Sequence, residues 1–229
     1  MAVRTSPVDG RSLPGWARAR VGSDPGTVHL NVVAPGSVTP EAARRCATGL
    51  VAAGYRRIVT NAMAPDDARA FTTAGFVPVE ELFLFTRSLA DLPSASVPTR
   101  RTSRRSVVAL DRLAFGARAF DRAALIDACG STPVSRVRVS GPRRAPTGYA
   151  LTGIAGWRAY VQRLAVHPDA RRRGIGRGLL ADGLRWAARC GARTALVNTH
   201  DDNPGAKALY EAFGFEQLPE GLVVVELRS

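Results

Sequence analysis

Two hydrophobic rhythms, one of period two and one of period 3.6, alternate along the chain. Leu180, Leu184, Ala187 and Ala188 recur at i, i+4, i+7 and i+8, which predicts a helix over 175–190 ended by Gly191. Short apolar runs predict strands over 135–139, 148–154, 160–166, 194–198 and 222–227, the second and third an antiparallel pair turning at Ala155–Gly156. Asn203–Pro204 reads as the cap and first position of a short helix that Gly214 terminates, and 107–128 reads as helical. Nearer the N-terminus, a strand over 27–33 precedes a helix capped by Thr39, with Pro40 at its first position and Gly54 as its stop. A strand over 57–61, a helix ending at Gly75 and a strand over 77–86 follow. Residues 88–106 break both rhythms: Pro93, Pro98, several serines and Arg100, Arg101, Arg104 and Arg105 read as a linker or exposed crossing segment with a solvated basic surface. The division is therefore 1–95 and 96–229. Strands interleaved with helices predict an α/β (α+β) fold, a mixed twisted sheet with helices on both faces.

The two parts echo each other. AAGYRRIVTN (52–61) resembles ARCGARTALVN (188–198), and FTTAGF (71–76) resembles YEAFGF (210–215), a short likeness that is weak residue by residue. The shared order is helix, glycine, strand, helix, Gly-Phe, strand, which marks a repeat.

Composition narrows the function classes. Hydrophobic residues are 45 % of the 229, ordinary for a protein with a core, and no stretch approaches the roughly 20 apolar residues of a membrane span. The first residues carry no apolar run of the secretory kind, so the expectation is a cytoplasmic protein. Cys46, Cys129 and Cys190 are widely spaced and form no metal-ligand pattern, so buried free thiols and no metal are expected. The net charge is +13, and Lys207 is the only lysine. A basic surface favours anionic partners, whether nucleic acid, acidic protein or a polyphosphate cofactor.

The chemistry-bearing stretch is LAVHPDARRRGIGRGLL, residues 164–180. A strand ends, a basic glycine-containing loop follows, and a helix begins. The first N–H groups of a helix lack partners inside it and, with the helix dipole, attract anions. Gly174 and Gly176 let the backbone approach a ligand, and Arg171, Arg172, Arg173 and Arg177 add charge. This pattern suits a pyrophosphate, although a short Gly-x-Gly turn is often only a turn.

Arg171-x-x-Gly174-x-Gly176 resembles the pyrophosphate loop, (Q/R)-x-x-G-x-(G/A), of the GNAT acetyltransferases. Leu164-Ala165-Val166 matches the strand before that loop, and Asn203, Leu209-Tyr210 and Gly214-Phe215 match the family's later motif, in the right order. The resemblance spans about 148–216. It implies a GNAT-type sheet splayed at the 164–166 strand, direct acetyl transfer from acetyl-CoA to an amine, positioning and backbone N–H stabilisation of the developing oxyanion, and no metal. Leu164, Ala165 and Val166 would meet the pantetheine arm. Arg171, Arg172, Arg173, Gly174, Ile175, Gly176 and Arg177 would hold the pyrophosphate. Asn203 would contact the cofactor near its thiol, and Tyr210 would be the general acid for the departing thiolate, its alternative being a core aromatic.

The sequence departs from the family where many members carry a glutamate base: Tyr160 and Gln162 stand there. His167 and His200 are bases by residue type only, and water is the alternative. The N-terminal part resembles the rear half of a GNAT domain that has lost its cofactor loop and acid. Its loop reads APGSV, Phe71 stands at the tyrosine position, and residues 1–26 are too few for a front half. Doubled GNAT proteins such as mycothiol synthase make a tandem enzyme for a thiol-bearing metabolite one alternative, and a non-enzymatic CoA or nucleic-acid binder another. Nucleic acid is disfavoured because no aromatics interleave with the arginines. The expected partner is an amine acceptor, small molecule or peptide, with no membrane; a homodimer stays open.

Overall fold

The computed structural model describes residues 13–22, 24–94 and 97–229. The reading of the extreme N-terminus and the 95/96 division both touch residues outside that set. The chain forms two compact units. Unit 1 takes the described residues up to Phe83 together with Pro219–Ser229, and unit 2 takes Leu84–Leu218.

Unit 1 contains β1 (Ala17–Val21), β2 (Thr27–Val32), α1 (Pro40–Ala52), β3 (Arg57–Thr60), α2 (Pro65–Thr73), the first part of β4 (Val77–Ser88) and β11 (Leu222–Arg228). Its strand order is β1-β2-β3-β11-β4, with β2 and β3 parallel and the other pairs antiparallel. The Thr39 hydroxyl accepts the Ala42 N–H at 3.2 Å, so α1 starts as its cap residue dictates. Val28, Leu30, Ile58, Phe71 and Val225 form the centre of its core. The last strand thus belongs with β3 and the start of β4, away from the 96–229 segment to which sequence order assigns it. Its buried Val224 and Val225 find apolar partners there.

Unit 2 contains the end of β4, β5 (Thr99–Arg100), α3 (Arg104–Phe115), α4 (Arg122–Gly130), β6 (Val134–Ser140), β7 (Gly148–Ala155), β8 (Arg158–Val166), α5 (Ile175–Arg189), β9 (Thr194–His200), α6 (Pro204–Ala212) and β10 (Glu216–Gln217). The order from the end of β4 is β4-β9-β8-β7-β6-β5. The 88–106 segment is less of a linker than its composition suggests. Thr99–Arg100 pairs with β6, and Ser103 caps α3 through the Ser106 N–H, which puts Arg104 and Arg105 on a helix. The helical 107–128 stretch is two helices, because Gly116 takes φ +57° and breaks it.

Register divides the unit 2 sheet into two faces. Leu151 opposes Arg163, while Thr152 opposes Val161; the extra residue, Gln162, is a bulge that resets the alternation. One face carries Val139, Tyr149, Leu151 and Ala165 against Val107, Leu110 and Leu125 of α3 and α4. The other meets α5, where a Cβ on Gly148 would lie 2.7 Å from Ile175 and one on Gly183 would lie 2.5 Å from Thr152. Among the described residues, no helix is long and apolar enough to cross a membrane.

Candidate active site

β8 and β9 run parallel and pair from Arg158↔Thr194 to Val161↔Val197, where the pairing stops. Beyond that point residues 163–166 of β8 pair, among the described residues, only with β7, which leaves one backbone edge open, as an added extended ligand requires. Leu164, Ala165 and Val166 lie on this edge, and the splay stands at the strand the sequence nominated.

The loop after β8 then turns into α5. Arg172 has φ +63° and Gly174 φ +73°, so the left-handed region is entered twice in three residues and successive N–H groups form a concave nest. Arg172 is the only non-glycine residue with positive φ among those described. Helices α3, α4 and α6 are each capped by a side chain, from Ser103, Asp121 and Asn203. Helix α5 has Gly174 at its cap position and no side-chain cap, so the N–H groups of its first turn, at Ile175, Gly176 and Arg177, remain for an anion. Arg171 reaches the Ala114 carbonyl at 3.4 Å, Arg177 lies over the Phe213 ring at 5.8 Å, and Arg172 and Arg173 are exposed.

A Cβ on Gly176 would sit 3.5 Å from Val166 Cγ2 and 3.6 Å from Leu209 Cδ2. This is ordinary contact distance, so packing inside the protein does not demand glycine there. The missing side chain points between Val166, at the end of β8, and Leu209 of α6. Gly174 differs: its Cβ would meet nothing, and the positive φ alone requires it.

Asn203 caps α6, its Oδ1 accepting the Ala206 N–H at 3.1 Å, which leaves its amide nitrogen as a donor. Tyr210 is 5 % exposed, with its ring against Phe85 and Phe215. It does more of the packing in α6 than Leu209, which is only half-buried beside Gly176. Its hydroxyl has no hydrogen-bond partner among the described residues. Burial pushes its pKa up to about 12.

Sequence order could not show what the sheet assembles nearby. Asn198 and His200 lie past the last β8–β9 pair and on the same face as Arg163, because Val197 shares the opposite face with Val161. His167 is used locally instead: its Nδ1 accepts the Asp169 N–H at 3.2 Å. Beneath this face Asp111 is fully buried. Its carboxylate accepts from the Tyr149 hydroxyl at 2.6 Å, from Arg163 Nε at 3.0 Å and Nη2 at 2.9 Å, and from the Phe120 N–H at 2.5 Å. Burial, with the Asp111 charge added, raises the Tyr149 pKa well above its ordinary value. These partners come from α3, β7, β8 and the turn before α4, and no motif links them.

The same sequence echo takes two different shapes. In both units a helix ends at a positive-φ glycine, Gly54 or Gly191, and the next helix ends at Gly75 or Gly214. The Phe76 N–H donates to the Phe71 carbonyl as that of Phe215 does to Tyr210, so Phe71 and Tyr210 are structural equivalents. In unit 1, however, the equivalent strands do not open. The Asn61 N–H donates to the Leu30 carbonyl, and Asn61 Oδ1 accepts the Val32 N–H at 2.7 Å. Asn198, at the matching place in unit 2, is exposed.

Residues 119–215 match the family model of the acetyltransferase (GNAT) family. That segment of the chain is similar to a GNAT acetyltransferase domain. Similar solved structures include a GCN5-related N-acetyltransferase from Sphaerobacter thermophilus, with TM-score 0.61 and 15 % identity over 93 % of this chain and 76 % of that one. A GCN5-related N-acetyltransferase from Kribbella flavida has TM-score 0.61 and 19 % identity over 87 % and 80 %. A tandem GNAT protein from the clavulanic acid biosynthesis pathway has TM-score 0.61 and 17 % identity over 93 % and 78 %. At these identities the likeness is one of fold: a mixed α/β arrangement with helices flanking the sheet. A search of curated proteins finds no match.

Proposed function

We propose that unit 2 transfers an acetyl group from acetyl-CoA to the amine of a small molecule or peptide. The observation that carries this reading is the open edge of β8 at 163–166 running into the uncapped first turn of α5. The edge offers backbone partners to an extended amide-bearing arm, and the nest and helix dipole offer a seat to its pyrophosphate. Acetyl-CoA supplies the activated acyl group. Leu164, Ala165 and Val166 hold the arm, the Arg171–Arg177 loop holds the phosphates, and the Asn203 amide nitrogen reaches toward the thiol end. Tyr210, protonated throughout the neutral range, gives its proton to the departing sulfur. On the other side of the splay, His200 is the base best supported by the sheet register. The repeat geometry of unit 1 favours a tandem-type enzyme whose first unit binds no CoA, since Asn61 takes the strand edge and Thr39 caps the helix.

The test is a free-thiol release screen with acetyl-CoA against pooled polyamines, aminoglycosides and peptides with free N-termini, beside calorimetry of acetyl-CoA. Thiol release above background by one pool supports the reading. No binding at millimolar acetyl-CoA ends it.

A further inference from the structure

The segment 114–120 runs from the last residues of α3 into the turn before α4 and is held at four places. Arg171 of the glycine loop donates to the Ala114 carbonyl at 3.4 Å. Arg163 of the splayed strand donates to the Arg118 carbonyl at 2.8 Å. The Phe120 N–H donates to Asp111 Oδ2, and the Arg118 guanidinium donates to Asp202 Oδ2 at 2.7 Å, one residue before Asn203. A segment tied to the phosphate loop, to the open strand and to the turn before α6 lies across the splay, on the sheet face that carries Arg163, Asn198 and His200.

Arg163 is the centre of this arrangement. Its Nε and Nη2 fork onto buried Asp111, and its guanidinium carbon lies 3.6 Å from the Phe115 ring centroid and 4.0 Å from that of Phe120. Only a planar guanidinium can fork onto a carboxylate, reach a carbonyl and stack on rings at the same time; a lysine ammonium would keep the charge and lose the geometry. The outer tie, Arg118–Asp202, is exposed at 51 % and 63 % and contributes little by comparison.

We propose that Arg163 is a positioning residue for the acceptor: by clamping 114–120 onto Asp111 it fixes the wall against which the incoming amine is oriented at the splay. This rests on the acetyl-transfer reading above. The proposed pantetheine and phosphate seats are backbone groups of 164–166 and of the first turn of α5, joined to the wall through the long 3.4 Å Arg171–Ala114 contact, so a loosened wall degrades acceptor binding far more than cofactor binding. Displacement of a positioned reactant by about 1 Å is enough to cost on the order of 10²-fold in rate.

The experiment compares the full-length wild type with Arg163→Lys and Phe115→Leu. It uses acetyl-CoA and the acceptor from the pooled screen that releases thiol fastest. In Arg163→Lys the acceptor KM rises about tenfold or more while the acetyl-CoA Kd stays within about twofold. Hydrogen exchange of the 115–121 amides accelerates about tenfold, and that of β8 and β9 does not change. Phe115→Leu weakens the stack and leaves the Asp111–Arg163 pair in place. It shows the same split to a smaller degree and decides the matter where Arg163→Lys fails to fold. Faster exchange with an unchanged acceptor KM overturns the proposal, as does unchanged exchange, or a parallel loss of acceptor and acetyl-CoA affinity. Failure of the wild type to bind acetyl-CoA would overturn the acetyl-transfer reading instead, and the exchange measurement would still judge the clamp on its own.

Discussion

Replacing Gly176 by alanine separates a packing glycine from a ligand-facing one. The position has ordinary helical backbone, since positive φ in this loop belongs to Arg172 and Gly174. The added methyl would touch Val166 Cγ2 at 3.5 Å and Leu209 Cδ2 at 3.6 Å without overlap. The free protein therefore gains what a compatible Gly→Ala change usually gives, about 0.4–1 kcal/mol, chiefly through reduced freedom of the unfolded chain. For a chain of this size that corresponds to a Tm increase of roughly 1–4 °C. The same methyl stands between Val166, at the end of the open β8 edge, and Leu209 of α6, where the proposed cofactor groove would run. If the cofactor's arm and phosphates run through that groove, the methyl displaces them, and a loss of about 1.4 kcal/mol or more appears as at least tenfold weaker acetyl-CoA binding. The two effects have opposite signs, so general damage cannot mimic the pair. Calorimetric unfolding of the free protein and titration with acetyl-CoA measure them separately. A variant with wild-type acetyl-CoA affinity refutes the assigned groove; one with a lowered Tm refutes the packing argument.

Tyr210→Phe keeps the ring against Phe85 and Phe215 and removes a hydroxyl without a protein partner, so kcat falls on the order of 10²-fold while the acetyl-CoA Kd holds; an unchanged kcat makes Tyr210 a packing residue only. Because burial raises the Tyr210 pKa from 10.0 to about 12, the folded state keeps its proton where the unfolded state loses it. This contribution to stability is therefore complete below pH 10 and is lost between about pH 10 and 12, as denaturation of wild type and Tyr210→Phe across that window would show. Titration should find one acetyl-CoA per chain, since the unit 1 strand edge is occupied by Asn61; two per chain would contradict the silent first half. Glu226 is buried. Desolvation alone would raise its pKa, but hydrogen bonds from Arg57 and Arg228 outweigh it and hold it below the ordinary 4.5. Its stabilisation is thus present above pH 4.5 and lost as pH falls through the lower folded value, so Glu226→Gln should cost about 1–3 kcal/mol at pH 7 and flatten the acid limb of the stability profile.

Much of the candidate site's local geometry was legible because it is contiguous in sequence. The glycine- and arginine-bearing loop at 171–177, the strand before it and the helix after it occupy one contiguous stretch, and caps such as Thr39 and Asn203 act within three residues of themselves. Helix and strand periods followed from which residues are apolar, and most elements stand where those periods placed them. Three things needed the folded chain. Strand partners are chosen across the whole sequence, so the last strand could join β3 and the start of β4 although sequence order placed it with 96–229. The splay depends on where β8 and β9 stop pairing, which local propensity does not encode; the echoing asparagines show this, with Asn61 closing its strands and Asn198 left exposed. The Asp111–Tyr149–Arg163 cluster brings together residues 38 and 52 positions apart. A fully buried carboxylate is stable only when its charge and lone pairs are met, and no spacing rule foretells which arginine and which hydroxyl will meet them.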